Sequence, residues 1–543
     1  MPEFQSKLVL ADYLLIGAYF VVTMGLGLWS ALKARTSSRG FFVAEKTLPW
    51  WVIGLTMVAA SISAEQMLGE VGYARDAGIV VSNWDLGVFP ALVLMIFVFL
   101  PLYLRSGITT IPEYLERRYG RTTRLLFAVY TVFNNACITL VMVLALGATA
   151  LRHFIGLDPR WGAVILIAFT GIYTVAGGML AVAWTQTLQC VLLLAGGLTI
   201  TFAGLSQVPG GLAGLFDRMA EADLDHLVRP VSDPYVPWPG LVLLMLSTNV
   251  WYCCTNQFYV QSCLGARDER HGRLGVLLTA FLAPVLTLCF AFPGYIARDL
   301  AEQKVLPAMS DANATYPHLV LELLGPGLRG FLIAAVLGAI MSSIAAIVNA
   351  TASVFTNDLY QRWFRPAAAD RELIRTGRIV GLATLMIAYP LTLVAAQYNY
   401  IFVYSQNAWS ILAIPIMLVF TFGALWKRTT NVAATAVFLF IAPFVAVPFL
   451  FGNTNDNYLD LPLVAGKVHL FNFAFVLWLA AAAFMLVISL LTPPADRIAV
   501  DPYVFDRKLL LAAEAAGCPW YRRVGFWTAV AGAMLLGIYV VLW

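Results

Sequence analysis

Apolar runs of about 18 residues or more recur from one end of this 543-residue chain to the other, and they fix its solvent before its fold. A run that long crosses hydrocarbon as a helix, because a helix satisfies its own backbone where no water can. Barrel strands would be about 10 residues long and alternate in polarity, so a transmembrane barrel is excluded. Charged residues make up 12% of the chain, whereas a soluble protein carries about twice that. The expectation is an all-α polytopic membrane protein with a lipid bilayer as its surroundings. Its net charge of +4 gives no reason to expect a nucleic-acid partner.

Hydropathy predicts about 14 transmembrane helices: 9–32, 48–70, 78–104, 124–155, 161–178, 180–205, 238–264, 274–298, 329–360, 376–396, 399–425, 430–451, 467–492 and 522–542. Alternate connections (31–48, 104–124, 265–273, 360–378, 425–430 and 493–523) carry 24 of the 34 Lys and Arg. Such segregation marks the cytoplasmic side, which places both termini outside, extracellular or periplasmic, in a plasma (inner) membrane. The stretch 507–523 reads as an amphipathic surface linker. Asn313-Ala-Thr315 matches a glycosylation sequon by chance composition. Seven cysteines without paired spacing and five scattered histidines support no disulfide framework, zinc site or metalloenzyme.

Against this apolar background, polar residues in three helices stand out. The second helix holds Ser61, Ser63, Glu65 and Gln66 near mid-span, where a charged side chain costs roughly 2.5–3.5 kcal/mol on insertion scales. The seventh reads Leu246-Ser-Thr-Asn249-Val-Trp-Tyr252-Cys-Cys-Thr-Asn256-Gln257, and the ninth carries Ser342-Ser343 and then Phe355-Thr-Asn-Asp358. Polar interruptions at corresponding places in two halves point to an inverted-repeat secondary transporter. The repeats would be 48–205 and 238–425, within a single domain over 1–543 that adds a leading helix at 9–32 and trailing helices over 430–543. An interrupted helix frees carbonyl oxygens, and sodium, a hard cation, takes oxygen ligands. Adjacent serines on a facing helix could complete such a cage, or could equally let helices pack closely.

Several stretches together resemble the sodium:solute symporter family, and most closely its sodium/glucose cotransporter branch. They are Phe41-Phe-Val-Ala-Glu-Lys-Thr-Leu-Pro-Trp-Trp51, Ile62-Ser-Ala-Glu-Gln66, Thr110-Ile-Pro-Glu-Tyr-Leu115, Tyr173-Thr-Val-Ala-Gly-Gly178, Ala181-Val-Ala-Trp-Thr-Gln186, Trp251-Tyr-Cys-Cys-Thr-Asn-Gln257, Ser342 through Asp358, and Leu425-Trp-Lys-Arg428. The resemblance implies a LeuT-type inverted-repeat fold and sodium as the co-transported ion. It implies a sodium site of main-chain oxygens from Ala59, Ile62 and Ala339 with the hydroxyls of Ser342 and Ser343. It implies solute contacts from Gln66, Asp85, Asn249, Tyr252 and Gln406, with Trp84 and Phe402 as the outer gate and Tyr252 as the inner one. Glu65 is left a structural hydrogen bond.

Departures from the family pattern bear on the solute. Ala283 stands where sugar-carrying members have Lys, Ser61 where Asn is usual, and Val88 where some members hold a small polar residue. Glu70 puts a carboxyl where an apolar side chain is more common, and Asp85 shortens the favoured Glu. Gln186 replaces an Asp linked with a second sodium in some relatives, favouring one sodium per cycle. The expected activity is sodium-coupled import of a sugar or related polyol by alternating access. Inositol, a nucleoside, a carboxylate or an amino acid are the alternative solutes, and a transporter-like sensor the alternative class. No enzyme is expected, since no nucleophile, base and orienting group cluster in the sequence.

Overall fold

The computed structural model describes residues 8–33, 46–62, 65–307, 311–396, 401–447, 457–461, 466–494, 500–506 and 519–543. Ser63, most of the Phe41–Trp51 motif's first half and residues 507–518 of the expected surface linker lie outside them. Among the described residues regular structure is almost wholly helical; the exception there is a two-residue antiparallel ladder, Tyr458–Leu459 with Val468–His469. Among the described residues nine helices are long and apolar enough to cross a bilayer, with four shorter apolar helices beside them.

Both helices expected to be interrupted are broken. Trp50–Ser61 stops at Ile62, whose backbone is extended (φ −87°, ψ 118°), and helix resumes as a π-helical turn, Glu65–Glu70, leading into Val71–Ala77. Gly78 (φ 77°) then turns the chain, a conformation that glycine adopts without strain. The second break falls at Asn256 (φ −77°, ψ 120°), between the π-helical turn Trp251–Thr255 and the helix Gln257–Leu264. Its freed backbone finds partners: the Tyr103 hydroxyl donates to the Cys254 carbonyl at 2.9 Å. A carbonyl left bare at this depth would cost several kcal/mol.

The helix Leu328–Val354 is the buried axis of the molecule, with 94% of its apolar window inside. Its N-terminus is held by the leading helix, Leu10–Lys33, whose Asp12 carboxylate accepts from the Gly327 (2.7 Å) and Gly330 (2.9 Å) amides. An acceptor there satisfies orphan amides and meets the positive end of the helix dipole. The trailing helices Leu470–Leu491 and Val524–Val541 are only 28% and 22% buried over the same measure, as lipid-facing helices should be.

One region differs from its expected outline. The separate spans at 161–178 and 180–205 lie within unbroken helix, Pro159–Leu205. These 47 residues are nonetheless not a straight rod. Leu166 and Ile340 both abut Gly147, while Gln189 abuts Gly338, half a turn from Ile340. Leu166 and Gln189 therefore share one depth, though a straight helix would set them about 34 Å apart. The chain therefore doubles back between them.

Candidate functional site

The first break and the buried axis meet at a cluster of neutral oxygens. Ser342 Oγ donates to the carbonyls of Ala59 (2.8 Å) and Ala339 (2.7 Å), and Ser343 Oγ donates to the Ile62 carbonyl at 3.1 Å. All five residues are buried. The Ile62 oxygen is available because its residue has left the helix, so the break makes the cluster possible. Three carbonyls and two hydroxyls carry no formal charge, and this donor set suits a hard monovalent cation held reversibly. Beside it, Gln186 Nε2 donates to the Ser342 carbonyl at 3.0 Å, so a neutral amide occupies that oxygen.

Ile62 also borders a partly enclosed cavity. Gln66, Asp85, Asn249, Tyr252 and Gln406 all line it, from helices far apart in sequence. So do Ser61, Val88 and Ala283, three of the positions that depart from the family pattern. Three residues that line it carry buried donors, Asn249 Nδ2, Trp84 Nε1 and Trp409 Nε1, without a hydrogen-bond partner among the described residues. Each unmet buried donor costs about 1–3 kcal/mol, which a hydroxylated solute would recover. Gln406 is half engaged, since its Nε2 donates to Glu65 Oε1 at 2.7 Å, leaving its carbonyl for a solute. The same Glu65 oxygen accepts from Ser405 at 2.9 Å, so Glu65 ties the first broken helix to Ile401–Leu425.

Aromatic rings cluster at two places beside the cavity. At one, Trp84 and Phe402 stand 5.8 Å apart between ring centroids, and Tyr73 lies 6.1 and 5.8 Å from them. Phe402 rests on Gly69, where an added Cβ would stand 2.5 Å from that ring's own Cβ. At the other, Tyr252 packs on Tyr259 (5.2 Å) and Phe258 (5.6 Å). Tyr73 and Trp409 were not singled out from the sequence, though helical spacing could have found them. Tyr73 follows Gln66 by seven residues and Trp409 follows Gln406 by three, on shared helix faces.

Beyond Tyr252, residues of the Thr110–Leu115 and Ser342–Asp358 stretches meet in a polar cluster. Asp358, fully buried, accepts from Thr110 Oγ1 (2.8 Å) and from Arg124 Nε (2.7 Å). Arg124 also pairs with Glu116, which Arg362 joins. The Ile111 amide donates to Gln257 Oε1 at 2.8 Å, linking the Thr110-Ile-Pro motif to the second break. Asn313 of the sequon is 5% exposed, which leaves it no surface to be glycosylated from.

The model of the sodium:solute symporter family matches residues 41–439. The sodium/mannose cotransporter SLC5A10 of Bos taurus is 30% identical over 97% of this chain and 94% of its own. The sodium/myo-inositol cotransporter 2 of Rattus norvegicus is 32% identical over 79% of this chain and 68% of its own, and the sodium/glucose cotransporter 2 of the same organism 29% identical over 91% and 80%. Among solved structures, a Na+-coupled sialic acid symporter superposes with a TM-score of 0.76 at 19% identity, covering 90% of this chain and 99% of that one. The chain belongs to the sodium:solute symporter family, and its fold is the LeuT-type fold of sodium symporters.

Proposed function

We propose that this member of the family couples the inward movement of sodium to the import of a neutral sugar or polyol. The observation that carries the reading is the sharing of one strip of chain. Ile62 gives its carbonyl to the oxygen cluster and its side to the cavity, and Gln66 follows one turn later. An ion seated on Ala59, Ile62, Ala339, Ser342 and Ser343 would fix the broken helix against the buried axis and thereby complete the cavity wall. Its departure on the other side would loosen both.

The cavity's unanswered amide and indole donors, together with the Asp85 acceptor, suit a solute rich in hydroxyls and without charge. The relatives' names, which include mannose, myo-inositol and glucose cotransporters, agree with that chemistry. One sodium per cycle is supported by Gln186, a neutral amide that donates to the Ser342 carbonyl where some relatives carry an Asp. The segregation of Lys and Arg supports a plasma (inner) membrane orientation with both termini outside, which sets the Trp84–Phe402 gate outward and the Arg124–Asp358 cluster inward. The two broken helices support inverted repeats at 48–205 and 238–425.

Energetically, one charge crossing about 100 mV yields about 2.3 kcal/mol, and a tenfold sodium gradient adds about 1.4 kcal/mol. Together they sustain a solute gradient of several hundredfold. Uptake of radiolabelled mannose, myo-inositol, glucose, a nucleoside and an amino acid into proteoliposomes, with and without a sodium gradient, tests the reading. Sodium-dependent uptake of at least one of the first three is expected; uptake confined to the last two would refute a polyol solute.

A further inference from the structure

The stretch of cavity wall over residues 83–89 is backed by the last helix, Val524–Val541. Trp84, Asp85 and Val88 line the cavity, spaced about one helical turn apart. Asn83 and Phe89, which flank them, meet the last helix. The Tyr539 hydroxyl donates to Asn83 Oδ1 at 2.6 Å. Gly532 lies against the Phe89 ring, where an added Cβ would stand 3.1 Å from two ring carbons. Residues seven apart share a helix face, so one face of the last helix makes both contacts. None of its described residues lines the cavity, and only 22% of its apolar window is buried.

Asn83 is fully buried and opens the helical turn Asn83–Leu86, which carries both Trp84 and Asp85. Its side chain joins three elements. Nδ2 donates to the Val80 carbonyl (2.8 Å) in the preceding turn and to the Leu227 carbonyl (2.7 Å) in the outer connection. Oδ1 takes the Tyr539 proton donor from the last helix. The Leu227 amide in turn donates to the Leu542 carbonyl at 2.8 Å, so the three elements close a triangle. The backbone carbonyl of Asn83 accepts from the Gly87 amide at 3.0 Å and closes the turn itself. By comparison, the bond from Thr287 Oγ1 to Asp85 Oδ2 is long, at 3.3 Å, and Trp84 Nε1 has no partner among the described residues.

Building on the polyol reading above, we propose that Tyr539 is a positioning residue for the solute, acting through Asn83 on the turn that carries Trp84 and Asp85. The last helix is thus a brace for the outer gate, although it touches no solute itself. Without the Tyr539 hydroxyl, Asn83 Oδ1 is a buried acceptor with no donor, which favours any displacement of the turn that finds it one. Trp84 and Asp85 then leave the places where they meet the solute. The oxygen cluster at Ala59, Ile62, Ala339, Ser342 and Ser343 shares no residue with the brace, so ion binding without solute is untouched.

Tyr539→Phe removes one oxygen and keeps the ring, and the test is its sodium-driven uptake of mannose, myo-inositol and glucose into proteoliposomes. The solute KM should rise about five- to tenfold with the maximal rate kept, while sodium binding to the purified protein without solute is unchanged. Asn83→Ala should raise KM at least as much. Adding Tyr539→Phe to Asn83→Ala should then leave KM within about twofold, because the two residues act as one link. An unchanged KM in Tyr539→Phe, or the same further rise in the double variant, overturns the proposal. Hydrogen–deuterium exchange of the purified protein reads the brace without transport. In Tyr539→Phe the amides of residues 83–87 should exchange faster, while those of residues 328–354 keep their wild-type rates. No acceleration at 83–87, or equal acceleration in both segments, would also overturn it. Absence of uptake for all three solutes in the wild type would instead count against the polyol reading, and the exchange result would then decide the fate of the brace.

Discussion

In the oxygen cluster, three of five oxygens belong to the backbone of Ala59, Ile62 and Ala339, and every one already meets a serine hydroxyl. In the cavity beside it, side chains supply the polar groups, and Asn249, Trp84 and Trp409 leave donors unmet. The contrast separates two kinds of constraint. A cage of carbonyls depends on where a helix breaks and tolerates changes of side chain; a cavity of side chains can be retuned one residue at a time. The departures at Ala283, Val88 and Ser61 all fall on the cavity.

The largest effect should come from Ser342→Ala. It removes the hydroxyl that reaches both Ala59 and Ala339, and losing a buried polar contact of this kind costs about 1–3 kcal/mol. Apparent sodium affinity should fall by about 10- to 100-fold, seen as the sodium concentration needed for half-maximal uptake. A variant with unchanged sodium dependence would break the comparison on its cage side. Next comes Asn249→Ala, which should raise the solute KM by about tenfold while sodium binding without solute stays unchanged. Should sodium binding weaken equally, the cavity would not be separable from the cage.

The smallest change is expected for Ala59→Gly. Its side chain contributes nothing to the cluster, so sodium affinity should stay within about threefold, with only the roughly 1 kcal/mol stability loss of a helical glycine in thermal unfolding. A large loss of sodium affinity there would show that the side chain, and not the carbonyl alone, shapes the cage.

Much of this was legible in the sequence, for stated reasons. Apolar runs reveal helices because hydrocarbon leaves the backbone no alternative, and the polar inserts at 61–66 and 247–257 reveal the breaks because such groups are costly there. The resemblance placed the cage residues and the five cavity residues in positions the fold does bring together. What the sequence hid is pairing across distance. Nothing local links Asp12 to Gly327 and Gly330, or Thr110 and Arg124 to Asp358.

The central claim is that ion and solute are coupled through the strip from Ala59 to Gln66, and linkage makes that measurable without transport. Equilibrium binding of whichever of mannose, myo-inositol or glucose the protein carries should be measured with purified wild type and Ser343→Ala across a sodium titration. The account predicts that sodium raises wild-type solute affinity by about 5- to 150-fold, and that in Ser343→Ala, which no longer donates to the Ile62 carbonyl, affinity scarcely responds to sodium. Equal sodium enhancement in the two proteins would contradict it.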